Sequence, residues 1–287
     1  MGKRNYYNTI ADIYDQTRWL TQSVAEEVAD VILELVNATP QTSFLEPGVG
    51  TGLNVLPLVR RGYSVTGIDV SQEMLDQFRQ KFHKVPQNLS LLQADASRLP
   101  FLDRSFDVVL TVHMVHTVSN WKTFLNKIDR VLKPRGFYLN AQWITPPARL
   151  EFERYFRTIL SRYERTQVSK PGDKAIQEIN VEEYFHNKGY QSTYLVAKEW
   201  TVSNTVEELL SFFKSRAYGL GPRVSDESFQ RVMEEFEAFC ADHYDSLETE
   251  LSSEAKFEIW AYRKLKSRCT GTKLLESQNC TVSIART

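Results

Sequence analysis

The residues of this chain best suited to chemistry form one short run, Glu46-Pro47-Gly48-Val49-Gly50-Thr51-Gly52, between a stretch that reads as a strand and one that reads as a helix. Three glycines at alternate positions let the backbone approach a ligand with no Cβ in the way. A loop between a first strand and its helix is also where open α/β sheets bind ligands. A dinucleotide fingerprint would need its third glycine where Leu53 stands, and a diphosphate would meet the Glu46 carboxylate as a like charge. An acid at that entrance suits a ligand that carries positive charge. A tight turn built from glycine for structural reasons alone is the competing reading.

Two further carboxylates stand where strands end. Asp69 lies seventeen residues past Gly52, a position from which a carboxylate accepts hydrogen bonds from ribose hydroxyls. Capping the next helix is its alternative role, although Ser71 is available for that. Asp95, in Gln93-Ala94-Asp95-Ala96, offers an acceptor to an exocyclic amine farther along the same sheet edge. His113 and His116 follow the fourth strand and are the candidate general bases, needed only where an acceptor must lose a proton. Ordinary packing is the alternative for both. No third His, Cys or acid lies at ligand spacing from them, so no metal is expected.

The elements that must position these groups follow from periodicity. Ser23, with Glu26 three residues later, reads as a capping box that opens a helix with Val24, Val28, Ile32 and Leu35 on one face. Strands at 43–45, 64–69, 89–93, 106–111 and 137–144 alternate with helices at 53–61, 72–84 and 120–132. Such alternation predicts a parallel sheet with helices on both faces. After Thr145-Pro146-Pro147 the pattern changes to helices at 148–165, 181–188, 206–215 and 226–244, with strands at 192–200 and 257–265. Tyr155, Phe156, Phe212, Phe213 and Arg216 fall in this part, where aromatic stripes usually mean core but could also wall an acceptor pocket.

Composition bounds the partners. Thirty-five Lys and Arg against thirty-six Asp and Glu give a net charge of -1, so a nucleic-acid partner held through counterion release is not expected. No apolar run approaches the roughly 20 residues that span a bilayer, and the amino end shows no apolar signal region, so no membrane role is expected. Three dispersed cysteines, Cys240, Cys269 and Cys280, fit a reducing, cytoplasmic setting.

Taken together and in order, residues 45–52, 65–75, 93–96 with Leu99-Pro100-Phe101, 105–109 and 131–136 resemble the class I S-adenosylmethionine-dependent methyltransferases, most nearly the branch with the ubiquinone and menaquinone C-methyltransferases. The resemblance implies an α/β, Rossmann-like, doubly wound seven-stranded sheet with an inserted helical cap. It implies one domain over 1–265, with the core at about 22–145, 190–200 and 256–265, the cap at 146–189 and 201–255, and a flexible tail at 266–287.

It also implies site roles. Glu46, Gly48, Gly50 and Gly52 would line the methionine and ribose part of S-adenosyl-L-methionine, and Asp69 would hold the ribose. Val70 and Met74 would pack on adenine, and Asp95 with the Ala96 amide would meet its polar edge. The stretch from Thr111 to His113 would pass near the sulfonium, while Tyr6, Tyr7, Tyr14 and Arg18 would fold over as a lid. Two departures stand out: Arg135 where a second glycine is usual, and His113 where relatives are often apolar. The implied activity is methyl transfer to O, N or C of a small-molecule metabolite by in-line displacement. An RNA or protein methyltransferase, a nicotinamide-dependent oxidoreductase and a non-catalytic cofactor-binding regulator are the alternatives.

Overall fold

The computed structural model describes residues 3–163, 179–216 and 225–264. The loop expected at 169–173, the Gly-Pro break at 219–222 and the tail with Cys269 and Cys280 lie outside the described residues.

Seven strands form one sheet: β1 (Ser43–Pro47), β2 (Ser64–Asp69), β3 (Leu89–Gln93), β4 (Phe106–Val112), β5 (Leu132–Ile144), β6 (Tyr190–Thr205) and β7 (Glu250–Lys264). Their order is β3-β2-β1-β4-β5-β7-β6. The first five run parallel, and β7 lies antiparallel between β5 and β6. Helices α1 (Lys3–Thr9), α2 (Gln22–Leu35), α3 (Leu56–Arg60), α4 (Gln72–Gln80), α5 (Trp121–Val131), α6 (Pro147–Tyr163), α7 (Val181–His186), α8 (Val206–Lys214) and α9 (Asp226–His243) complete the described chain.

Central β4 reads Phe-Asp-Val-Val-Leu-Thr-Val because both of its faces are covered. Val108 and Leu110 face α2, α3 and α4, where Val28, Ile32, Leu58 and Phe78 are buried. Val109 faces α5 and α7, against Phe124, Ile128 and Phe185. The sheet is therefore doubly wound. Helices α6, α8 and α9 form a cluster of their own around Phe152, Phe156, Phe213 and Phe236, and this is the helical cap.

Several boundaries differ from the sequence reading. Thr21, in extended backbone, caps α2 by accepting the Val24 amide at 3.3 Å; Ser23 falls inside the first turn. Helix α3 starts only at Leu56, since the chain turns through residues 53–55 before Pro57 can sit in a first helical turn. Helix α7 packs on the sheet beside Tyr138 and Tyr262 rather than on the cap cluster. Strands β6 and β7 run on together past β5, pairing Thr201–Thr205 with Glu250–Glu254 as a ribbon that leads into α8.

Candidate active site

Strand β1 ends at the switch point, with β2 on one side and β4 on the other, and the glycine loop starts there. Gly48, Gly50 and Gly52 all lie in the left-handed region, with φ of +76°, +53° and +76°. That conformation is cheap only for glycine. The Gly48 and Val49 amides donate to the Ile68 carbonyl at 2.8 and 3.0 Å, and the Gly50 amide donates to Asp69 Oδ2 at 2.9 Å, which ties the loop to the end of β2. A Cβ on Gly52 would stand 2.4 Å from the Phe78 ring, whereas one on Gly50 would meet nothing within 4 Å. Gly50 is thus the open side of the loop.

Glu46 is 1% exposed. Its Oε1 accepts the Asn54 amide at 2.9 Å, while Glu46 Oε2 and Asn54 Oδ1 have no hydrogen-bond partner among the described residues. Burial pushes the Glu46 pKa up to about 8, against the Asn54 hydrogen bond and with help from the Asp69 charge. Burial also raises Asp69, in spite of the amides of Ser71 and Gly50 that it accepts. Ser71 caps α4 by accepting the Met74 amide at 3.2 Å, so that duty does not fall to Asp69. Replacing Asp69 by Ala should weaken binding of a hydroxyl-bearing ligand at this edge by about 1–3 kcal/mol, the range for a lost buried hydrogen-bonding partner. Calorimetry that finds parental affinity would remove Asp69 from the site.

Farther along the edge, Asp95 is exposed and accepts the Ser97 amide at 2.9 Å, capping a single 3-10 turn, Ala96–Arg98, whose Ala96 is buried. Val70 is half-buried beside Asp69. Met74 is buried against Ile10 and Ala11, with Tyr6, Tyr7 and Tyr14 around them, so the amino-terminal segment covers it.

That segment crosses the site as a strap. Thr51 Oγ1 donates to Asp15 Oδ1 at 2.5 Å, and Asp15 also pairs with Lys81. The Arg18 guanidinium lies 4.1 Å over the Tyr14 ring. Tyr7 is pushed up to about 12 by burial and by the nearby Tyr14, Tyr6 and Asp69, which Arg18 opposes. The Trp19 carbonyl accepts Trp200 Nε1 at 3.0 Å, and its ring meets Trp143 edge-on at 5.6 Å. The Thr17 carbonyl accepts Arg149 Nη2 at 2.9 Å.

Arg149 was not picked out as a site residue from sequence. It is 5% exposed, with its guanidinium 4.9 Å from the Trp19 ring and 5.5 Å from that of Phe212. Burial, then the Arg18 charge, lowers its pKa to about 9. A signal was present: Arg149 occupies the buried stripe of α6 with Phe152, Phe156 and Ile159, a place where an apolar residue is usual.

His113 follows β4 in left-handed backbone, with φ +52°. Its amide donates to the Ala141 carbonyl at 3.1 Å, and its Nε2 accepts the Trp143 amide at 3.0 Å, extending the seam between β4 and β5. The residue is exposed overall; desolvation by the groups packed around the ring, then the His116 and Arg18 charges, lower its pKa to about 4. With Nε2 engaged as an acceptor and the ring hydrogen on Nδ1, no lone pair is left to take a proton, so this geometry does not supply the base expected of His113. His116 is exposed on the turn Val115–Thr117, its ring 6.4 Å from that of His113. Among the described residues no three His, Cys, Asp or Glu side chains come together as a metal site.

Residues 45–140 match the family described as "methyltransferase domain". A demethylmenaquinone methyltransferase of Tropheryma whipplei (strain Twist) is 30% identical over 186 residues, which cover 63% of this chain and 77% of that protein. A phthiotriol/phenolphthiotriol dimycocerosates methyltransferase of Mycobacterium tuberculosis (strain H37Rv) is 37% identical over 91 residues, 32% of this chain and 33% of its own. Among solved structures, the [4+2]-cyclase SpnF aligns at a TM-score of 0.54 and 16% identity, covering 91% of this chain and 94% of its own. The YcgJ protein of Bacillus subtilis aligns at 0.50 and 15%, covering 84% and 99%. The structural likenesses establish the seven-stranded fold. Sequence identity along most of a relative's length goes further, and the chain belongs to the class I S-adenosylmethionine-dependent methyltransferases.

Proposed function

We propose that this enzyme methylates a small-molecule acceptor at the carboxyl edge of β1, β4 and β5 by positioning and exclusion of water, with no proton taken by His113. The observation that carries the site is the buried, orphaned acceptor Glu46 Oε2 at the entrance of a loop whose Gly50 is open. A phosphate there would meet two carboxyl groups; an ammonium or a hydroxyl would satisfy both. That donor set fits S-adenosylmethionine, the family's cofactor, which when bound supplies a methyl group on a sulfonium with an excellent neutral leaving group.

The residues divide the work. Glu46, Asn54, Gly48, Gly50 and Gly52 hold the methionine part, and Asp69 takes the ribose hydroxyls. Val70, Met74, Asp95 and Ala96 frame the base. Tyr14 and Arg18, carried on the strap, close the cofactor side, while Asp15 and Trp19 fasten that strap to Thr51, Lys81 and Trp200. Trp143 and Arg149 meet the Trp19 ring and Arg149 also meets Phe212, and these side chains would bound the acceptor side. Keeping water away and the acceptor aligned can supply most of the acceleration for a displacement of this kind.

The names of similar proteins refer to menaquinone, dimycocerosate lipids and, in Mycolicibacterium smegmatis, a fatty acid, which supports a metabolite acceptor over RNA or protein. Among the described residues no helix is long and apolar enough to cross a membrane. Dispersed cysteines support a cytoplasmic setting.

Methyl-labelled S-adenosylmethionine incubated with the enzyme and an extract of its source cell should place label in the small-molecule fraction. Label confined to RNA or protein would overturn the proposal. With the labelled product as substrate guide, His113→Asn should keep kcat within about tenfold of the parent, since asparagine accepts the left-handed backbone and can still receive the Trp143 amide. The kcat profile should show no limb assignable to His113 between about pH 5 and 8. A larger loss, rescued by external imidazole, would restore His113 as a base.

A further inference from the structure

We propose a second, phosphate-binding site on the opposite edge of the sheet, independent of the methyl-transfer site. The amino ends of β4, β5 and β6 and the carboxyl end of β7 enclose a cleft of about 820 Å³. Six basic and two acidic side chains line it, a surplus of four positive charges in a protein whose net charge is -1. Local pairing leaves much of that surplus in place. Arg130 pairs with Asp103 and Lys133 with Asp107, each at 2.8 Å. Lys188 and Lys264 share the single carboxylate of Asp129, at 2.9 and 3.4 Å, and Tyr190 also donates to it. The side chains of Arg104 and Arg135 are exposed and have no hydrogen-bond or ion-pair partner among the described residues; only the Arg104 amide is engaged, by the Arg130 carbonyl.

The two free arginines share a second property. Their backbone is left-handed, with φ of +56° at Arg104 and +68° at Arg135. Glycine or asparagine is at home there, and a long side chain is not. The fold thus holds two arginines on the wall of one cleft, at positions where the backbone itself would favour a smaller residue. Arginine offers five donors in a planar fork that matches phosphate oxygens, and two such forks with a half-neutralised lysine pair on the same cleft suit a ligand with more than one negative charge. The cleft has room for a phosphate or diphosphate carried on a larger body. A soluble phosphorylated metabolite and a phospholipid headgroup share that chemistry.

The same backbone geometry provides a clean test. Arg104→Gly with Arg135→Gly removes both charges and relieves the backbone, so the double variant should melt at or above the parental temperature and keep its methyl-transfer rate. Inorganic pyrophosphate, titrated by calorimetry, should bind the parent with an affinity that falls as salt rises, and each lost guanidinium should weaken it by roughly tenfold. Vesicles of phosphatidylcholine, with and without phosphatidylglycerol, report the source. Pyrophosphate binding alone supports the site and indicates a soluble ligand. Sedimentation with phosphatidylglycerol vesicles that needs both arginines supports it and indicates a headgroup. Binding of neither probe, or equal binding by parent and double variant, overturns the proposal. Should the glycine pair not fold, Arg104→Asn with Arg135→Asn makes the same comparison, since asparagine also accepts this backbone.

Discussion

Gly52→Ala should cost about 2–5 kcal/mol of folding stability, combining a left-handed backbone with an overpacked core. At φ +76° an alanine is strained wherever it points, and here its Cβ would stand 2.4 Å from three atoms of Phe78, a ring buried beneath the loop. Phe78 cannot simply move aside, because it lies in the core cluster shared by α2, α4 and β2. Against a total stability of 5–15 kcal/mol for a typical domain, this loss is large. Gly50→Ala makes the contrast. Its Cβ meets open space, so folding should lose only the backbone cost of about 1–2 kcal/mol, while cofactor affinity falls because a methyl group now stands on the open face of the loop. Denaturant titration of the two variants, with calorimetry alongside, separates packing from binding. Equal stability of Gly52→Ala and the parent would mean that the loop does not rest on Phe78.

The second large effect is on pH dependence. Glu46, with its pKa near 8, holds a proton at neutral pH when nothing charged faces it. A cationic or hydroxyl-bearing ligand favours the carboxylate, so binding must release that proton. Affinity for S-adenosylmethionine should therefore rise by up to about tenfold per pH unit from pH 6 toward 8. The sign for folding is opposite. The native pKa lies above the ordinary carboxylate value of 4.5, so this group's contribution to stability is fully present below 4.5 and declines as pH rises to about 8. Glu46→Gln should abolish both slopes and lower affinity at pH 8. Calorimetry in buffers of different ionisation heat measures the released proton directly; a flat affinity across this window would assign the perturbed carboxyl elsewhere.

What the sequence made legible and what it hid have physical reasons. Strands β2 and β3 match the expected ranges to the residue, because apolar runs there end against unmistakable turn chemistry at Gly62, Asp69 and Asp95. The position of Glu46 at the entrance of the glycine loop was readable from sequence; its burial to 1% exposure was not, since that depends on the elements that close over it. The lengths of β6 and β7 were not readable. Ser192, Thr193, Thr201 and Ser203 carry no apolar alternation, and the ribbon is held by backbone ladders that composition does not mark. The cap of α2 was read as Ser23, but Thr21, a residue of the same chemistry two positions earlier, holds the extended backbone and takes that role. His113 illustrates a deeper limit. Its spacing from His116 said nothing of the Trp143 amide thirty residues away, which fixes the tautomer and removes the basic lone pair. Arg149 hid for a similar reason, since its acceptor is a backbone carbonyl on the strap.

The contact between Trp19 and Trp143 has a consequence for observing this molecule. One indole rides on the strap and the other ends a core strand, in edge-to-face contact. Two chromophores held this way couple optically, so their near-ultraviolet signal depends on how the strap is seated. The chain carries a built-in gauge of that contact, with no dye or label attached.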